Sequence, residues 1–423
     1  MKVKLAYGKR ELDVDLPDDL RVTVVEPKYV KGLSDQTVAV RDALRRPIES
    51  PSLRDLVKSS DKVGIIFSDI TRATPNDIIV PALLEQIDHV PDDQIVFFNS
   101  TGTHRANTED ELRDILGEKI PSKYRIVQND ADDRDSHVMV GTTASGNDVW
   151  IHREFVECDV KIPTGFIEPH FFAGFSGGGK AIMPGLATLD TVMRNHSAKY
   201  LDNPSARWGV THGNPLWEEV NEAAMMVRPT FLLNVALNRE KQITAVFAGD
   251  FQRAHAEGCT FVKEKVMVPV EEPFDIVITS NSGYPLDLNV YQAVKGMSAA
   301  SQVVKEGGSI IIAADCWDGI PDHGSYGELL QQAESLQSLL ERIRTPGFQM
   351  QDMWQAHIHA LICLKADVYL YTENLNDEQI EGALLRPCHQ IEGTITELLQ
   401  KHGRDVSICV LPEGPQTVPY IHH

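Results

Sequence analysis

The chain has 423 residues, a formal net charge of −21 and a pI near 5.1. This length predicts roughly two or three domains of about 100–200 residues each. The strong negative charge argues against nucleic acid or an anionic membrane as a partner, because both bind clustered Lys and Arg. Any anionic ligand must therefore be held by positive side chains that are concentrated locally.

Six cysteines are scattered along the chain without a Cys-x-x-Cys pair, which predicts free thiols rather than a disulfide framework or a cysteine metal site. The first residues lack the apolar core of a signal peptide, and no apolar run approaches the length of a membrane span. These features predict a cytoplasmic protein with no membrane partner.

The first part of the chain alternates strand and helix patterns, which is typical of an α/β domain with parallel strands. The predicted elements, in chain order, are a hairpin at 2–16, strands at 63–67, 94–98 and 159–163, and helices at 78–87, from 108 onwards and at 188–194. Three polar loops follow the strands, at 69–76, 100–105 and 165–180. Ligands of such sheets bind beyond the carboxyl ends of the strands, so we expect these loops to lie at one edge.

A second α/β series begins after the Pro- and Glu-rich stretch 269–273. It contains predicted strands at 274–279, 307–314 and 406–411 and helical patterns at 326–343 and 351–363. We predict two domains, each with a mostly parallel sheet flanked by helices, and an active site in the cleft between them. The expected boundaries are 1–268, completed by a C-terminal strand within 402–423, and 269–401.

The glycine-rich run Gly165–Gly185 carries the densest functional signal. Its segment Gly174–Lys180 satisfies G-x-x-x-x-G-K, the phosphate-binding loop of nucleotide hydrolases. Ala181, however, stands where Mg²⁺ binding needs Ser or Thr, and Pro184-Gly185 interrupts the helix that should follow. A nucleotide-dependent transferase and a non-catalytic carboxylate- or nucleotide-binding protein remain alternatives. A phosphate loop without magnesium favours a phosphorylated cofactor, to which Lys180 can bond covalently.

Histidines and cations accompany this run in the predicted loops. Arg72 is suited to bind a carboxylate or phosphate, and His104 and His170 follow two different strands as candidate proton-transfer groups. Gln292 and Lys295 are three residues apart, so on a helix they share one face.

Together these residues resemble the lactate racemase family, nickel-pincer enzymes that invert 2-hydroxy acids. The resemblance covers essentially the whole chain. The segments that carry it are Asp69-Ile-Thr-Arg72, Thr101-Gly-Thr-His-Arg105, Gly165–Gly185, Asn195-His196-Ser197, Tyr284-Pro-Leu-Asp287 and Gln292-Ala-Val-Lys295.

The resemblance implies a racemase or epimerase that inverts C2 of a 2-hydroxy acid by reversible hydride transfer. The implied cofactor is a nickel-pincer nucleotide, the pyridinium-3-thioamide-5-thiocarboxylic acid mononucleotide, attached to Lys180, with His196 as the protein ligand of nickel. His104 and His170 would be opposed catalytic bases. The implied substrate-binding residues are Arg72, Gln292, Lys295 and Trp354, and the other implied cofactor contacts are Asp69, Thr71, Phe175, Ser176, Gly177, Gly178 and Tyr291. Proteins that synthesise and insert the cofactor are the implied protein partners.

Two departures from the family pattern concern the cofactor and the substrate. Gly179 replaces the family's usual arginine before the tether lysine, which removes a positive charge. Ile70 and Ala73 change the Asp-His-Thr-Arg-Pro sequence of lactate-type members, so lactate, malate, an aryl-lactate and a sugar acid all remain open as substrates.

Overall fold

Two six-stranded sheets organise the chain, each in its own unit. The computed structural model describes residues 1–321 and 324–422. The first unit comprises Tyr29–His196 and Asn203–Lys265, and the second comprises Met1–Lys28, Ser197–Asp202 and Val266–His423. No helix of the described ranges combines the length and apolar character needed to cross a membrane.

The strands are numbered in chain order. They are β1 (Lys2–Tyr7), β2 (Arg10–Asp15), β3 (Arg21–Val24), β4 (Val63–Ser68), β5 (Ile95–Ser100), β6 (Arg125–Gln128), β7 (His137–Thr142), β8 (Asp148–His152), β9 (Val160–Phe166), β10 (Pro169–His170), β11 (Gly174–Phe175), β12 (Leu232–Leu237), β13 (Ile243–Gly249), β14 (Val268–Val270), β15 (Phe274–Ser280), β16 (Val304–Ala313), β17 (Asp367–Tyr371), β18 (Arg386–Pro387), β19 (Ser407–Leu411) and β20 (Pro419–Ile421).

The helices are numbered in the same way. They are α1 (Gln36–Arg45), α2 (Leu53–Leu56), α3 (Asn76–Gln86), α4 (Glu109–Leu116), α5 (Lys119–Lys123), α6 (Arg153–Val156), α7 (Leu189–Asn195), α8 (Ala198–Leu201), α9 (Pro215–Met226), α10 (Phe251–Val266), α11 (Val290–Ser301), α12 (Tyr326–Gln331), α13 (Leu336–Arg344), α14 (Met353–Lys365), α15 (Asp377–Gly382) and α16 (Ile391–His402). Short 3-10 turns lie at Asp92–Gln94, Arg134–Ser136, Gly178–Ala181 and Gly414–Gln416.

The sheet of the first unit has the order β13-β12-β9-β4-β5-β6, and its strands are parallel except for the antiparallel pair β12–β13. Strand β4 reads Val-Gly-Ile-Ile-Phe-Ser, and all but the last residue are buried, as expected for a central strand covered on both faces. Ile65, Phe67 and Phe97 belong to one apolar core with side chains of α1 and α3. The sheet therefore holds the ends of β9, β4 and β5 side by side.

The sheet of the second unit has the order β18-β17-β16-β15-β19-β3 and is parallel throughout. The hairpin β1–β2 packs on it, with Leu5 and Tyr7 in the same apolar core as Ile276 and Ile408. The prediction of two α/β domains with mostly parallel sheets flanked by helices is confirmed.

The residue ranges of the two units differ from the expected domain boundaries. The C-terminal strand β19 pairs with β15 of the second unit and does not return to the first. Its other neighbour is β3, so the N-terminal residues complete the second unit instead. Buried Ile408, Cys409 and Val410 fit the apolar interior of that parallel sheet. Sequence periodicity predicts the strand but does not identify its neighbours.

Local signals explain where several helices begin. Thr108 and Glu111 form a capping box at the start of α4, as the acidic first turn predicts. The helical pattern at 326–343 is divided into α12 and α13, because Ser335 caps a new helix there by accepting from the amide of Ser338. Asn289 caps α11 in the same manner.

Candidate functional site in the first unit and a second group on α11 and α14

The three polar loops of the first unit meet at the carboxyl ends of β9, β4 and β5. The hydroxyl of Ser100 donates to the carbonyl of Ala181 at 3.0 Å, which joins the loop after β5 to the glycine-rich run. The amide of Gly102 donates to the carbonyl of Gly185 at 3.0 Å in the same region. The loops that are far apart in sequence therefore form one edge, as the α/β pattern predicts.

Asp69 and His104 form a hydrogen-bonded pair between the loops after β4 and β5. Nδ1 of His104 lies 2.7 Å from Oδ2 of Asp69. Burial raises the pKa of the Asp69 carboxyl, but the hydrogen bond and charge of His104, with smaller contributions from Thr71 and Arg72, bring that pKa below its ordinary value. The carboxylate is therefore ionised at neutral pH, and the His104 Nδ1–H must be the donor. Nε2 of the neutral ring is then a proton acceptor.

Thr71 and Arg72 belong to the same turn as Asp69. The Thr71 hydroxyl donates to Oδ1 of Asp69 at 2.7 Å, so it helps to hold the carboxylate. The amide of Arg72 donates to the carbonyl of Asp69 at 3.1 Å, while its side chain is exposed. This turn therefore presents a cation beside a fixed carboxylate.

Three glycines in the glycine-rich run have backbone conformations or surroundings that exclude a side chain. Gly174, Gly177 and Gly178 have φ values of 72°, 74° and 51°. A Cβ on Gly174 would lie 2.1 Å from the carbonyl oxygen of Val210, and one on Gly178 would lie 2.7 Å from the ring of His255. These positions need glycine because a larger residue is strained and also collides with its neighbours.

The polar groups of this loop are largely engaged by the protein itself. The Ser176 hydroxyl donates to the carbonyl of Phe166 and accepts from the amide of Glu168, both at 2.9 Å. The Gly178 amide donates to Oδ1 of Asn234 at 2.9 Å, and the next residues form a 3-10 turn rather than a long helix. A nucleotide-hydrolase loop needs such amides and a helix N-terminus for phosphate, so this geometry weakens that alternative.

Lys180 follows the loop and is partly buried. Its Nζ lies 5.9 Å from the centre of the Phe172 ring. Burial, together with the positive charge of Arg72, lowers the pKa of the Lys180 ammonium to about 7. A substantial fraction of this side chain is therefore the neutral amine at neutral pH, which is the nucleophilic form.

His196 is the C-cap residue that follows helix α7, and it is 5% exposed. Its ring packs edge-on against Phe172, with centroids 5.1 Å apart. Burial and the nearby charge of Lys180 lower the pKa of His196 to about 3, so the ring is neutral near pH 7. Neutral imidazole is the form that binds transition metals.

His170 lies in the two-residue strand β10, next to the same aromatic cluster. Its ring centroid is 4.6 Å from that of Phe172, and it stacks on Phe171 at 5.0 Å. Nδ1 accepts from the amide of Ala173 at 3.2 Å, so a neutral ring carries its proton on Nε2. His104 and His170 thus hold opposite tautomers in this structure.

Phe172 is a residue that the sequence reasoning missed. Its ring contacts His170 and His196 and lies under Lys180. It is 3% exposed, and its position two residues after His170 in a run of aromatic and glycine residues is the one sequence signal that marks it. Phe175 is likewise buried, at 2% exposure. The candidate residues of this loop therefore lie around buried aromatic side chains.

The predicted residues of the second unit lie on two packed helices. Tyr291, Gln292 and Lys295 are on α11, where Gln292 and Lys295 are partly exposed. Trp354, 8% exposed, is on α14, and the side chain of its neighbour Gln355 donates to the carbonyl of Tyr291 at 2.5 Å. The Tyr291 hydroxyl donates to Asp352 at 3.4 Å, and burial raises its pKa. Gln292 and Lys295 thus lie three residues apart on one helix, as their spacing predicts, and α14 packs against that helix beside Tyr291.

Both departures from the family pattern are visible in the first unit. A Cβ on Gly179 would lie 3.2 Å from Oδ1 of Asn221 and from a methyl of Val220, so the glycine fits closely against α9. Ile70 is 41% exposed, and Ala73 is also exposed. These residues change the surface of the turn that carries Arg72.

Comparison with known proteins agrees with the geometry. Residues 7–209 match the model of the lactate racemase N-terminal domain, and residues 270–418 match that of the C-terminal domain. Lactate racemase of Thermoanaerobacterium thermosaccharolyticum is 35% identical over 98% of each chain. Lactate racemase of Lactiplantibacillus plantarum is 36% identical over 97% of this chain and 98% of its own.

Solved structures show the same relationship. The lactate racemase apoprotein from Thermoanaerobacterium thermosaccharolyticum superposes with a TM-score of 0.92 at 34% identity, covering 99% of this chain and 100% of that one. A Thermotoga maritima protein has a TM-score of 0.69 at 19% identity over 93% of this chain and all of its own, which shows the fold alone. The relatives confirm the prediction of a racemase-type isomerase. Given matched domains at both ends and full-length relatives, the chain belongs to the lactate racemase family.

Proposed function

We propose that this protein is a racemase or epimerase that inverts C2 of a 2-hydroxy acid, using a nickel-pincer nucleotide attached to Lys180. The observation that carries the proposal is the pair Lys180 and His196, which pack against Phe172 with the amine and the imidazole both shifted toward their neutral forms. A neutral amine is what covalent attachment requires, and a neutral imidazole is what metal binding requires.

The residues present fit this cofactor. Lys180 would form the covalent link, and His196 would give nickel one nitrogen ligand. The positive φ values at Gly177 and Gly178 let the loop pack closely on Asn234 and His255, and we propose that the other side of this loop contacts the nucleotide. Asp69, Thr71, Phe175, Ser176 and Tyr291 are the further cofactor contacts that we propose.

When bound, this cofactor supplies an acceptor for the C2 hydrogen as hydride, so that inversion passes through a planar 2-keto acid. The protein must then move the hydroxyl proton. His104 can accept this proton on Nε2, because Asp69 holds the single proton of the neutral ring on Nδ1. His170 is the second base that we propose, for the opposite face; its neutral ring carries the proton on Nε2 here, so it must change tautomer before Nε2 can accept a proton. A reversible inversion requires one base on each side of the planar intermediate.

Positive and polar side chains are available to bind the substrate. Arg72 is exposed and suited to bidentate binding of a carboxylate. In the second unit we assign Gln292 and Lys295 to the carboxylate and hydroxyl groups and Trp354 to the lining of the binding site. The names of the relatives make lactate the first acid to test, while Ile70 and Ala73 leave malate, aryl-lactates and sugar acids open.

Attachment of this cofactor tests the proposal directly. The protein is produced together with the proteins that synthesise and insert the cofactor, which we propose as its partners, and its intact mass and nickel content are measured. We expect a mass adduct and nickel in the wild type and in Lys199→Ala, a matched exposed lysine, but neither in Lys180→Ala. An unmodified mass in the wild type would overturn the proposal.

A chiral assay of the loaded protein then identifies the substrate. L and D forms of lactate, malate, phenyl-lactate and sugar acids are each supplied alone, and the opposite configuration at C2 is measured. We expect inversion of one class of acid, lost in Lys180→Ala. Loaded protein that inverts none of them would favour the non-catalytic binding homologue, and ATP consumption by the unmodified protein would favour the transferase.

A further inference from the structure

We propose that the buried carboxylate of Glu219 on α9 is a positioning residue for His196, through Asn195. The inference rests on the proposed function, in which His196 binds nickel. Asn195 is the residue directly before His196 and the last residue of α7. Nothing in the proposed chemistry otherwise uses Glu219.

Glu219 is 4% exposed and accepts hydrogen bonds on both carboxylate oxygens. Oε1 accepts from the Thr143 hydroxyl at 2.8 Å and from the Ser145 hydroxyl. Oε2 accepts from Nδ2 of Asn195 at 2.7 Å and from Nδ2 of Asn147 at 3.4 Å. Burying a carboxylate costs desolvation free energy even when its oxygens are hydrogen-bonded, and an apolar side chain at this position would avoid that cost.

The geometry fixes the side-chain amide of Asn195 in one orientation. Its Nδ2 donates both to Glu219 and to the carbonyl of Leu216, at 2.7 and 3.3 Å. Both partners are acceptors on α9, so the NH₂ group must face that helix. The C-terminal end of α7, where the amide of His196 donates to the carbonyl of Val192 at 2.8 Å, is thereby held on α9.

The same helix also holds the other residues around Lys180. Asn214, which caps α9, donates to the carbonyl of Phe172 at 2.9 Å. Trp217 stacks on His255, and Nε2 of His255 lies 3.0 Å from the carbonyl of Ser176 in the glycine-rich run. Helix α9 therefore provides a common support for Phe172, for the loop before Lys180 and, through Glu219, for His196.

This role is suited to a carboxylate, because a carboxylate has two acceptor oxygens and no donor. A glutamine at 219 has the same shape but one acceptor oxygen. If its NH₂ group faces Asn195, it opposes the Nδ2 donor of that residue; if it faces Thr143 and Ser145, their hydroxyls must turn round to accept from it. Glu222 offers a matched comparison, since it lies on the same helix and accepts from the amide of Ala144 at 2.8 Å, but is exposed.

Nickel retention by the loaded protein tests the inference. Wild type, Glu219→Gln, Asn195→Ala and Glu222→Gln are dialysed against a chelator, and nickel and the Lys180 mass adduct are measured over time. We expect Glu219→Gln and Asn195→Ala to keep the adduct but lose nickel about tenfold faster or more, the scale seen when a partner behind a metal-binding histidine is removed. Glu222→Gln should match the wild type.

A second readout does not depend on the cofactor. In apoprotein labelled with ¹⁵N in histidine, the ring nitrogen signals of His196, assigned with His196→Gln, report its tautomer and mobility. We expect one sharp tautomer in the wild type and an averaged or broadened signal in Glu219→Gln, with thermal unfolding confirming that the variant is folded. If Glu219→Gln does not fold, Asn195→Ala gives the same comparison, because it leaves the carboxylate and its other donors in place.

The outcomes separate the two hypotheses. A wild type without adduct contradicts the proposed function and leaves the apoprotein measurement as the test of Glu219. A loaded wild type with unchanged nickel loss and an unchanged His196 spectrum in folded Asn195→Ala, or an equal effect of Glu222→Gln, overturns the positioning role. The double variant Glu219→Gln with Asn195→Ala should lose nickel no faster than either single variant, because both act through one hydrogen bond.

Discussion

The Nδ1 atom of His104 lies 2.7 Å from Oδ2 of Asp69, and the two side chains are 49% and 5% exposed. A buried carboxylate thus orients an imidazole that is about half exposed. This relationship fixes the tautomer of His104 and leaves Nε2 as the proton acceptor. It also makes the two candidate bases distinguishable, because His170 is oriented by a backbone amide instead.

Removal of the Asp69 charge should reduce proton transfer by His104 while the imidazole itself stays in place. In Asp69→Asn the amide cannot hold the imidazole proton on Nδ1 as a carboxylate does, so we expect kcat to fall by roughly 10–100-fold. Adduct and nickel content should change less than kcat. Steady-state kinetics on the loaded protein measure the effect, with Asp77→Asn, an exposed carboxylate in the first turn of α3, as the control. Equal kcat values in Asp69→Asn and wild type would contradict the orienting role.

Replacing His104 and replacing His170 should impair the oxidation of opposite enantiomers. Racemisation needs both, so His104→Gln and His170→Gln should each lower it by roughly 10²–10⁴-fold. In a single turnover followed by trapping of the 2-keto acid, each variant should still oxidise one enantiomer, and the two variants should retain opposite ones. His402→Gln, at an exposed position on α16, is the control. Retention of the same enantiomer by both variants would exclude two opposed bases.

Much of the first unit follows from sequence because its signals are local. Buried strands such as β4 and β5 read as apolar runs, and their polar loops must meet at one edge of a parallel sheet. The pairing of Gln292 with Lys295 on α11 follows from helical spacing in the same way. The ends of the strands therefore predict which residues lie together within a unit.

The contacts that sequence reasoning missed are long-range. Asn234 and His255 hold the glycine-rich run from 56 and 79 residues away in the chain, at Gly178 and Ser176 respectively. Glu219 reaches Asn195 across 24 residues. An isolated Asn, His or Glu in a helix or strand has no pattern that distinguishes it from a surface residue, so tertiary packing alone identifies these groups.

The amine of Lys180 should titrate near neutral pH in the apoprotein. Burial and the charge of Arg72 lower its pKa from 10.5 to about 7, so reactivity should rise with pH and level off above about pH 8. Brief labelling with an acylating reagent across pH 5–10, read by peptide mass, measures the midpoint, with Lys199 as an internal reference. Arg72→Ala removes a like charge and should move the midpoint to higher pH. A midpoint unaffected by Arg72→Ala would contradict the assigned cause.

The lowered pKa of Lys180 should also make the free energy of unfolding of the apoprotein depend on pH. Between about pH 7 and 10.5 the unfolded chain binds a proton at Lys180 that the folded chain does not, so this residue makes stability rise with pH in that window. Below pH 7 the folded chain holds the buried charge at a cost. Lys180→Met should therefore stabilise the apoprotein at pH 6, with a gain that shrinks toward pH 10. Urea unfolding at pH 6, 8 and 10 measures this, and a gain that grows with pH would contradict it.

Gly178 and Gly179 should differ sharply in their tolerance of a side chain. Gly178 has a φ of 51°, and a Cβ there would lie 2.7–2.8 Å from three atoms of the His255 ring. We expect Gly178→Ala to lower the free energy of unfolding by about 2–4 kcal/mol, through backbone strain and overpacking together. At Gly179 the nearest atoms are 3.2–3.3 Å away and φ is not in the left-handed region, so Gly179→Ala should cost less than about 1 kcal/mol. Urea unfolding of the apoprotein at one pH compares the pair. Gly179→Arg, which restores the family's charge, should then also fold, whereas equal destabilisation by alanine at both positions would show that the loop is held by contacts other than those of Gly178 with His255.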